Sequence, residues 1–402
     1  MEDCQCGVRS LSKDLFVMRI MQICFTPIID SAGGVEKVFC NMSNHFCKEH
    51  AILDVCCDGM DGKPFYELDE SVNLVNLTDG KKMKIPFGIK LQNELARIAK
   101  QIGFKIEFPR EKYVRKQINK KLSRLLNSFK PDVVICYEMR SMVTVADCGY
   151  DLSKVIVMFH STAVNILKSL SDKQESVLHK VGCIQVLMSR DKDYMIKHSY
   201  KNIVHIGNVV PQYEVDDFLK KENIIIHVGR LDRAPKRQYL LIEAFALIAH
   251  KYPDWKVEFW GGDAQPKNYE KTLRDLIRKY KLEKQVFLMG KTNDVPSKLR
   301  KASIFAFPSA FEGFGLGLAE AMSMGLPVIG FKSCPAVIEL IKDGYNGILC
   351  EDGANNLGKA LEELINDEKL RSSYGLRARE DMKCFSVEFI YTKWKNLLKS
   401  YE

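Results

Sequence analysis

Short apolar runs alternate with amphipathic helical patterns along nearly the whole chain, and this alternation confines it to parallel sheets with crossover helices. Runs of strand type occur at 19–25, 51–57, 133–136, 155–159 and 185–187, and again at 224–228, 256–259, 286–289, 304–307 and 328–329. Two similar sets in tandem predict an α/β protein of two domains. A length of 402 residues, with 46% hydrophobic and 28% charged side chains, is enough for two cores. Val209, Val210 and Pro211 interrupt the pattern, and the acidic Glu214, Asp216 and Asp217 follow, which marks the junction. The expected domains are therefore 18–210 and 211–385. Residues 386–402 read as a closing helix, with Val387, Ile390, Tyr391, Trp394, Leu397 and Leu398 at helical spacing for docking onto protein. Residues 1–17 read as a disordered extension ahead of Met18, itself a candidate start.

No apolar run reaches the ~20 residues of a membrane helix, since 16–29 is broken by Arg19, Gln22 and Pro27. The same segment lacks the cleavage-site pattern of a signal peptide. Thirteen cysteines are scattered through strand-like runs without paired CxxC spacing, so they read as reduced, small buried hydrophobes. Cys4 and Cys6 stand too far from other ligand groups for a metal site. These features predict a cytoplasmic protein.

The sharpest local feature runs from Phe307 to Ile329, FPSAFEGFGLGLAEAMSMGLPVI. A strand ends at Pro308, a helix begins near Gly317, and Gly313 and Gly315 lie between them. Amides of a glycine loop ahead of a helix amino end favour an anion, and a diphosphate would fit. Glu320, about one turn into that helix, could accept hydrogen bonds from sugar hydroxyls, and Glu312 on the loop could face a reacting carbon. Spacing alone assigns neither role, and a helix-surface carboxylate beside a turn residue is the plain alternative.

Other candidates stand at strand ends. Arg230 and Lys236 flank the loop after 224–228, where two cations would neutralise a departing diphosphate. His160 follows 155–159, and Gly33 with Gly34 follows 19–25; a structural histidine and an ordinary strand-to-helix turn are the alternatives there. Asp191-Lys192-Asp193 reads as the acidic first turn of a helix rather than a metal-binding DxD.

Through Glu312 and Glu320, the 307–329 stretch resembles the E-x7-E signature of family 4 glycosyltransferases, retaining enzymes of the two-Rossmann GT-B fold. Upstream, IIHVGRLDRAPKRQYLLIEAFALIAHKYPDWKVEFWGGD is similar to the family's first strand, basic loop, helix and second strand, with Gly229, Arg230 and Lys236 at matching positions. Downstream, PAVIELIKDGYNGILC resembles the segment that closes the donor domain, with Glu339, Gly344, Asn346 and Gly347 in place. In the first half, SAGGVEKV and VIVMFHS are the matching stretches.

The resemblance implies an acceptor-binding domain and a nucleotide-sugar domain facing across a cleft, with the last helix crossing back to the first. It implies transfer of a hexose from a nucleotide diphosphate sugar, a UDP-sugar ahead of GDP-mannose, to a saccharide or lipid-linked glycan in cell-surface polysaccharide synthesis. Glu312 and His160 are the implied catalytic residues. Gly33, Gly34, Arg230, Lys236, Gly313, Phe314, Gly315, Leu316 and Glu320 form the implied donor-binding set. A front-face route follows, with Glu312 positioning the sugar and Glu320 gripping the ribose, and with neither metal nor cofactor. Gly261-Gly262-Asp263 departs from the commoner G-x-G, which leaves the fit to the base open.

Positive charge is concentrated at 81–130, where fifteen Lys or Arg residues face only Glu94, Glu107 and Glu111, an imbalance larger than the whole chain's +9. Val114, Ile118, Leu122, Leu125, Leu126 and Phe129 fall on one helical face, and Arg115, Lys116, Lys120, Lys121 and Arg124 on others. A core-packed helix with a solvated basic back explains this, and so does an anionic membrane surface as a partner, reached peripherally from the inner face of the cell membrane. Nucleic acid is disfavoured, because the aromatics there lack a spacing for stacked bases. Two rival functions are a nucleotide-sugar epimerase of GT-B fold, against which the signature argues, and a non-catalytic module for anionic polymers.

Overall fold

Unbroken Val and Ile runs form fully buried strands at the centre of two sheets, as they must when helices cover both faces. The structure is a computed structural model describing residues 18–31, 33–214, 221–263 and 268–402. The extension expected at 1–17 and the acidic pair Asp216 and Asp217 lie outside the described residues. The chain divides into two compact units, one running to Ile206 and taking in Trp394–Glu402, the other Gly207–Lys393.

In the first unit the strands are β1 (Arg19–Cys24), β2 (Ala51–Cys56), β3 (Asn73–Asn76), β4 (Val133–Cys136), β5 (Val155–Met158), β6 (Cys183–Val186) and β7 (Ile203–His205). They pair in parallel in the order β3-β2-β1-β4-β5-β6-β7. The second unit holds β8 (Ile224–Val228), β9 (Lys256–Trp260), β10 (Val286–Gly290), β11 (Ile304–Phe307), β12 (Val328–Phe331) and β13 (Gly347–Cys350). Their order is β10-β9-β8-β11-β12-β13, again all parallel. Each sheet therefore reverses its winding once, at β1/β4 and at β8/β11, and such switch points are where α/β proteins bind ligands.

Each unit has its own core. In the first, Ile118, Leu122 and Leu126 of helix Pro109–Phe129 pack with Val134, Val157 and Phe159 of the sheet. This is the apolar face expected of that helix. Its polar side differs from expectation at Arg115, which is buried and paired with Glu107 and, at 2.6 Å, with Asp147. Two carboxylates hold this cation inside, so it is not part of a solvated basic back. Lys121 also pairs, with Asp79, whereas Lys116, Lys120 and Arg124 are exposed.

A buried polar network crosses the first sheet. Tyr137 donates to Gln22 Oε1 at 2.7 Å, and Gln22 Nε2 donates to Ser43 Oγ (2.7 Å) and Asp54 Oδ1 (3.1 Å). Burial pushes the Asp54 carboxyl up to about 7 against the lowering effect of these hydrogen bonds. Of the apolar spacing read from the sequence, the closing helix Val387–Leu398 buries Ile390, Tyr391, Trp394 and Leu398, whereas Leu397 is half-buried and Val387 is exposed. Trp394 meets Phe46 edge-on at 6.1 Å and Lys395 pairs with Glu49 at 2.9 Å, so the end of the chain completes the first unit.

Candidate active site

Loops leaving the adjacent strands β8 and β11 are tied together at the switch point of the second unit. Lys236 Nζ lies 2.7 Å from Glu312 Oε1, and the ammonium sits 5.1 Å from the centre of the Phe307 ring. Ala310 N–H donates to the Pro235 carbonyl at 2.7 Å. Arg237 Nε donates to the Pro308 carbonyl at 3.0 Å while its guanidinium pairs with Asp352 at 2.6 Å. The basic loop and the loop carrying Glu312 thus form one assembly.

Beneath it, the buried His227 on β8 places Nδ1 2.9 Å from the Ala306 carbonyl and Nε2 3.3 Å from the Gln238 amide. Burial depresses this imidazole to about 4, so it is neutral near pH 7, with Nδ1–H donating and Nε2 accepting. Gln238 also donates to the Arg230 carbonyl at 2.9 Å and accepts from Asp232 N–H at 3.2 Å, which shapes the start of the basic loop. Arg237, His227 and Gln238 were not singled out from the sequence. Arg237 and Gln238 directly follow Lys236, but His227 is hidden inside an apolar run.

Gly315 has φ 86°, a left-handed conformation that favours glycine, and it precedes helix Leu316–Ser323. A Cβ on Gly317 would stand 2.8 Å from the Val228 carbonyl, so glycine there lets the helix amino end press against β8. Gly313 and Leu316 are half-buried on either side of this turn. Glu320 is buried on the next turn, and its charge adds to the burial that raises the Tyr213 hydroxyl.

Not every candidate joins this assembly. Arg230 is exposed and pairs, at 3.5 Å, with its near neighbour Asp232. The Phe314 ring is buried edge-on against Phe385 at 5.1 Å. Asn346 is a structural residue, accepting from Lys342 N–H at 2.8 Å and donating to Asp381 at 2.8 Å. Gly261 is placed by packing: it has φ 152°, and a Cβ would fall 2.0 Å from the Gly229 carbonyl.

The first unit holds the remaining candidates. His160 stacks on Tyr137 with ring centres 5.4 Å apart, and its Nε2 is buried without a hydrogen-bond partner. Burial lowers this imidazole to about 4. Gly33 caps helix Gly34–Phe46 in an extended conformation, and a Cβ there would meet the Glu36 carboxylate, which accepts from Ser31 Oγ at 2.7 Å. That acid already offsets the helix dipole, so the glycine pair is a poorer anion site than the turn at Gly315. Asp191 is buried in the first turn of helix Ser189–Lys197 and accepts the Ala163 N–H at 2.8 Å, the helix-turn role read from the sequence. Among the described residues, no group of three or more His, Cys, Asp or Glu is arranged to hold a metal ion.

At the β1/β4 switch point, Glu138 Oε1 accepts the Phe25 N–H at 2.7 Å, while Oε2 is buried and unpartnered. Burial raises this carboxyl to about 7, despite the nearby charge of Arg140. Glu138 and Arg140 line a cavity of about 240 Å³ together with Lys100, Glu111 and Phe108. Sequence reasoning passed over Glu138 because a single acid after a strand has no motif around it.

Residues 211–381 match the family model described as Glycosyl transferases group 1. An uncharacterized glycosyltransferase from Haemophilus influenzae is 27% identical over 385 residues, covering 93% of this chain and 98% of that protein. A Campylobacter jejuni enzyme is 24% identical over 392 residues, covering 94% and 98% respectively. It is named GalNAc-alpha-(1->4)-GalNAc-alpha-(1->3)-diNAcBac-PP-undecaprenol alpha-1,4-N-acetyl-D-galactosaminyltransferase. In fold the chain is similar to a variant of S. aureus TarM solved with fondaparinux, alpha-GlcNAc-glycerol and UDP. The TM-score is 0.71 at 19% identity, over 94% of this chain and 99% of that one. The architecture is thus GT-B, with two parallel-sheet Rossmann-like units, and the enzyme class is glycosyltransferase.

Proposed function

We propose that the chain is a family 4 retaining hexosyltransferase that uses a nucleotide diphosphate sugar and no metal. The observation that carries this reading is the Lys236–Glu312 pair at the β8/β11 switch point, beside the helix amino end at Gly315. An ammonium has three donors, so Lys236 can keep Glu312 and still bind a phosphate oxygen. With the amides near Gly315 and Arg230 swung inward, it stabilises the diphosphate as the anomeric C–O bond breaks. The acceptor oxygen bonds to the anomeric carbon on the same face, and its proton passes to the departing phosphate. Glu312 positions the sugar, and Glu320 accepts from the ribose hydroxyls.

UDP in the TarM structure supports a UDP-sugar ahead of GDP-mannose. The diphospho-undecaprenol acceptor in the name of the C. jejuni relative supports a lipid-linked glycan acceptor, bound by the first unit and met at a membrane surface. The cavity beside Glu138 is the acceptor pocket in this reading, with the carboxylate accepting from a hydroxyl of the acceptor glycan. No helix among the described residues is long and apolar enough to cross a membrane.

Incubation with radiolabelled UDP- and GDP-sugars, with and without lipid extract and EDTA, tests this. The expected results are slow release of nucleotide without acceptor, faster transfer to lipid, an anomerically retained product and no loss in EDTA. An inverted product, a free isomerised sugar, or activity lost in EDTA and restored by manganese would overturn the reading.

A further inference from the structure

Helix Phe87–Gln101 presents its apolar residues to solvent instead of to the core. Only Asn93 and Ala96 of the helix are buried. Phe87 is 81% exposed, Leu91 56%, Leu95 60% and Ile98 58%, with Ile102 (71%) and Phe104 (60%) just beyond the helix end. Positions 87, 91, 95, 98 and 102 are spaced by four, four, three and four residues, so they form one continuous stripe opposite the buried pair. An exposed apolar stripe of this length marks an interaction surface.

The charges around the stripe indicate what covers it. From residue 81 to residue 105 there are seven Lys or Arg residues and one acid, Glu94. Lys81, Lys82 and Lys84 are exposed just before the helix, and Lys90 is exposed along its flank. Glu94 is already neutralised by Arg97 at 2.8 Å. A narrow apolar ridge on one helix, edged by unpaired lysines, matches the boundary between acyl chains and anionic headgroups.

We propose that helix Phe87–Gln101 lies in the interface of an anionic bilayer, with its apolar stripe inserted and Lys81, Lys82, Lys84 and Lys90 at the headgroups. The membrane contact of the reading above is thereby assigned to this helix rather than to helix Pro109–Phe129, and the assignment rests on that reading only for its purpose. Lys100 on the last turn of the helix also lines the cavity beside Glu138, so the inserted element borders the pocket suggested for the acceptor.

The full chain should sediment with vesicles of phosphatidylglycerol and phosphatidylcholine in equal parts, less as salt rises, and little with phosphatidylcholine alone. The variant L91S/L95S/I98S, whose changes face outward and leave the circular dichroism spectrum unchanged, should partition more than about a hundredfold less. K81S/K82S/K84S should lose salt-sensitive binding, whereas K116S/K120S/R124S should bind like the parent. Transfer to a short water-soluble acceptor should persist in all three, which separates failure of this proposal from failure of the transferase reading. Undiminished vesicle binding by L91S/L95S/I98S would overturn it. So would light scattering that shows a dimer in the parent and a monomer in that variant, which would assign the stripe to a second copy of the chain.

Discussion

Lys236 Nζ reaches Glu312 Oε1 at 2.7 Å across 76 residues of sequence, and the two side chains are only 18% and 10% exposed. The pair joins the loop after β8 to the loop after β11, and it holds a cation over the Phe307 ring, against which the turn at Gly315 also packs. Lysine could serve here as structural mortar or as a diphosphate ligand. The two roles separate experimentally, because stability depends on charge balance and catalysis on the cation itself.

Lys236→Met leaves a withdrawn carboxylate uncompensated and should lower unfolding free energy by roughly 3 kcal/mol. The double variant K236M/E312Q should regain most of that stability in urea titrations, since no lone charge remains. Its kcat/KM should stay depressed by about 10²–10³-fold. Recovery of both stability and transfer in the double variant would show that the pair is structural only.

Gly315→Ala forces a side chain into φ 86° and should cost about 1–2 kcal/mol. Gly315→Asn should cost less, because asparagine tolerates the left-handed region. Thermal melts of the two variants check the order, and equal melting temperatures would mean that this turn relaxes on substitution.

Much of the sheet architecture was legible in the sequence because central strands of parallel sheets are buried on both faces and read as apolar runs. The strands that escaped, β3, β7 and β13, all lie at sheet edges. They are three or four residues long and partly exposed, so NLVN and IVH carry no sustained pattern. At the site, Glu312 and Lys236 were visible as separate candidates, but their pairing depends on β8 and β11 being neighbours, which only the topology shows. Composition gave the charge of 81–130 without saying which helix face is wet. It therefore counted Arg115, held inside by Glu107 and Asp147, among solvated cations. It also passed over the outward stripe from Phe87 to Ile102.

Glu320→Gln should weaken UDP binding by about tenfold, since an amide oxygen is a poorer acceptor than a carboxylate for paired ribose hydroxyls. Glu312→Gln should leave UDP affinity within about twofold and slow transfer instead. Titration calorimetry on both variants decides, and unchanged binding in Glu320→Gln would remove that residue from the nucleotide site.

Asp54 gives the clearest pH prediction. Ser43 Oγ stands 2.6 Å from Asp54 Oδ2 and 2.9 Å from the Phe39 carbonyl, yet a hydroxyl has a single proton. If Ser43 donates to Phe39, a protonated Asp54 completes the network by donating to Ser43, in keeping with a carboxyl raised to about 7 by burial. A pKa raised from 3.8 means that the folded state holds the proton more tightly, so this group's stabilisation is full below about pH 4 and is lost as pH rises to about 7. His160 and His227 run the other way: depressed from 6.5 to about 4, they cost stability as pH falls through that window. The opposing slopes hide each other in the parent. Asp54→Asn keeps a donor toward Ser43 and an acceptor for Gln22 but cannot ionise. Relative to the parent, it should gain roughly 4 kcal/mol between about pH 4 and about pH 8. Denaturant curves that run parallel for the two proteins across that range would show that Asp54 is already ionised in the folded state.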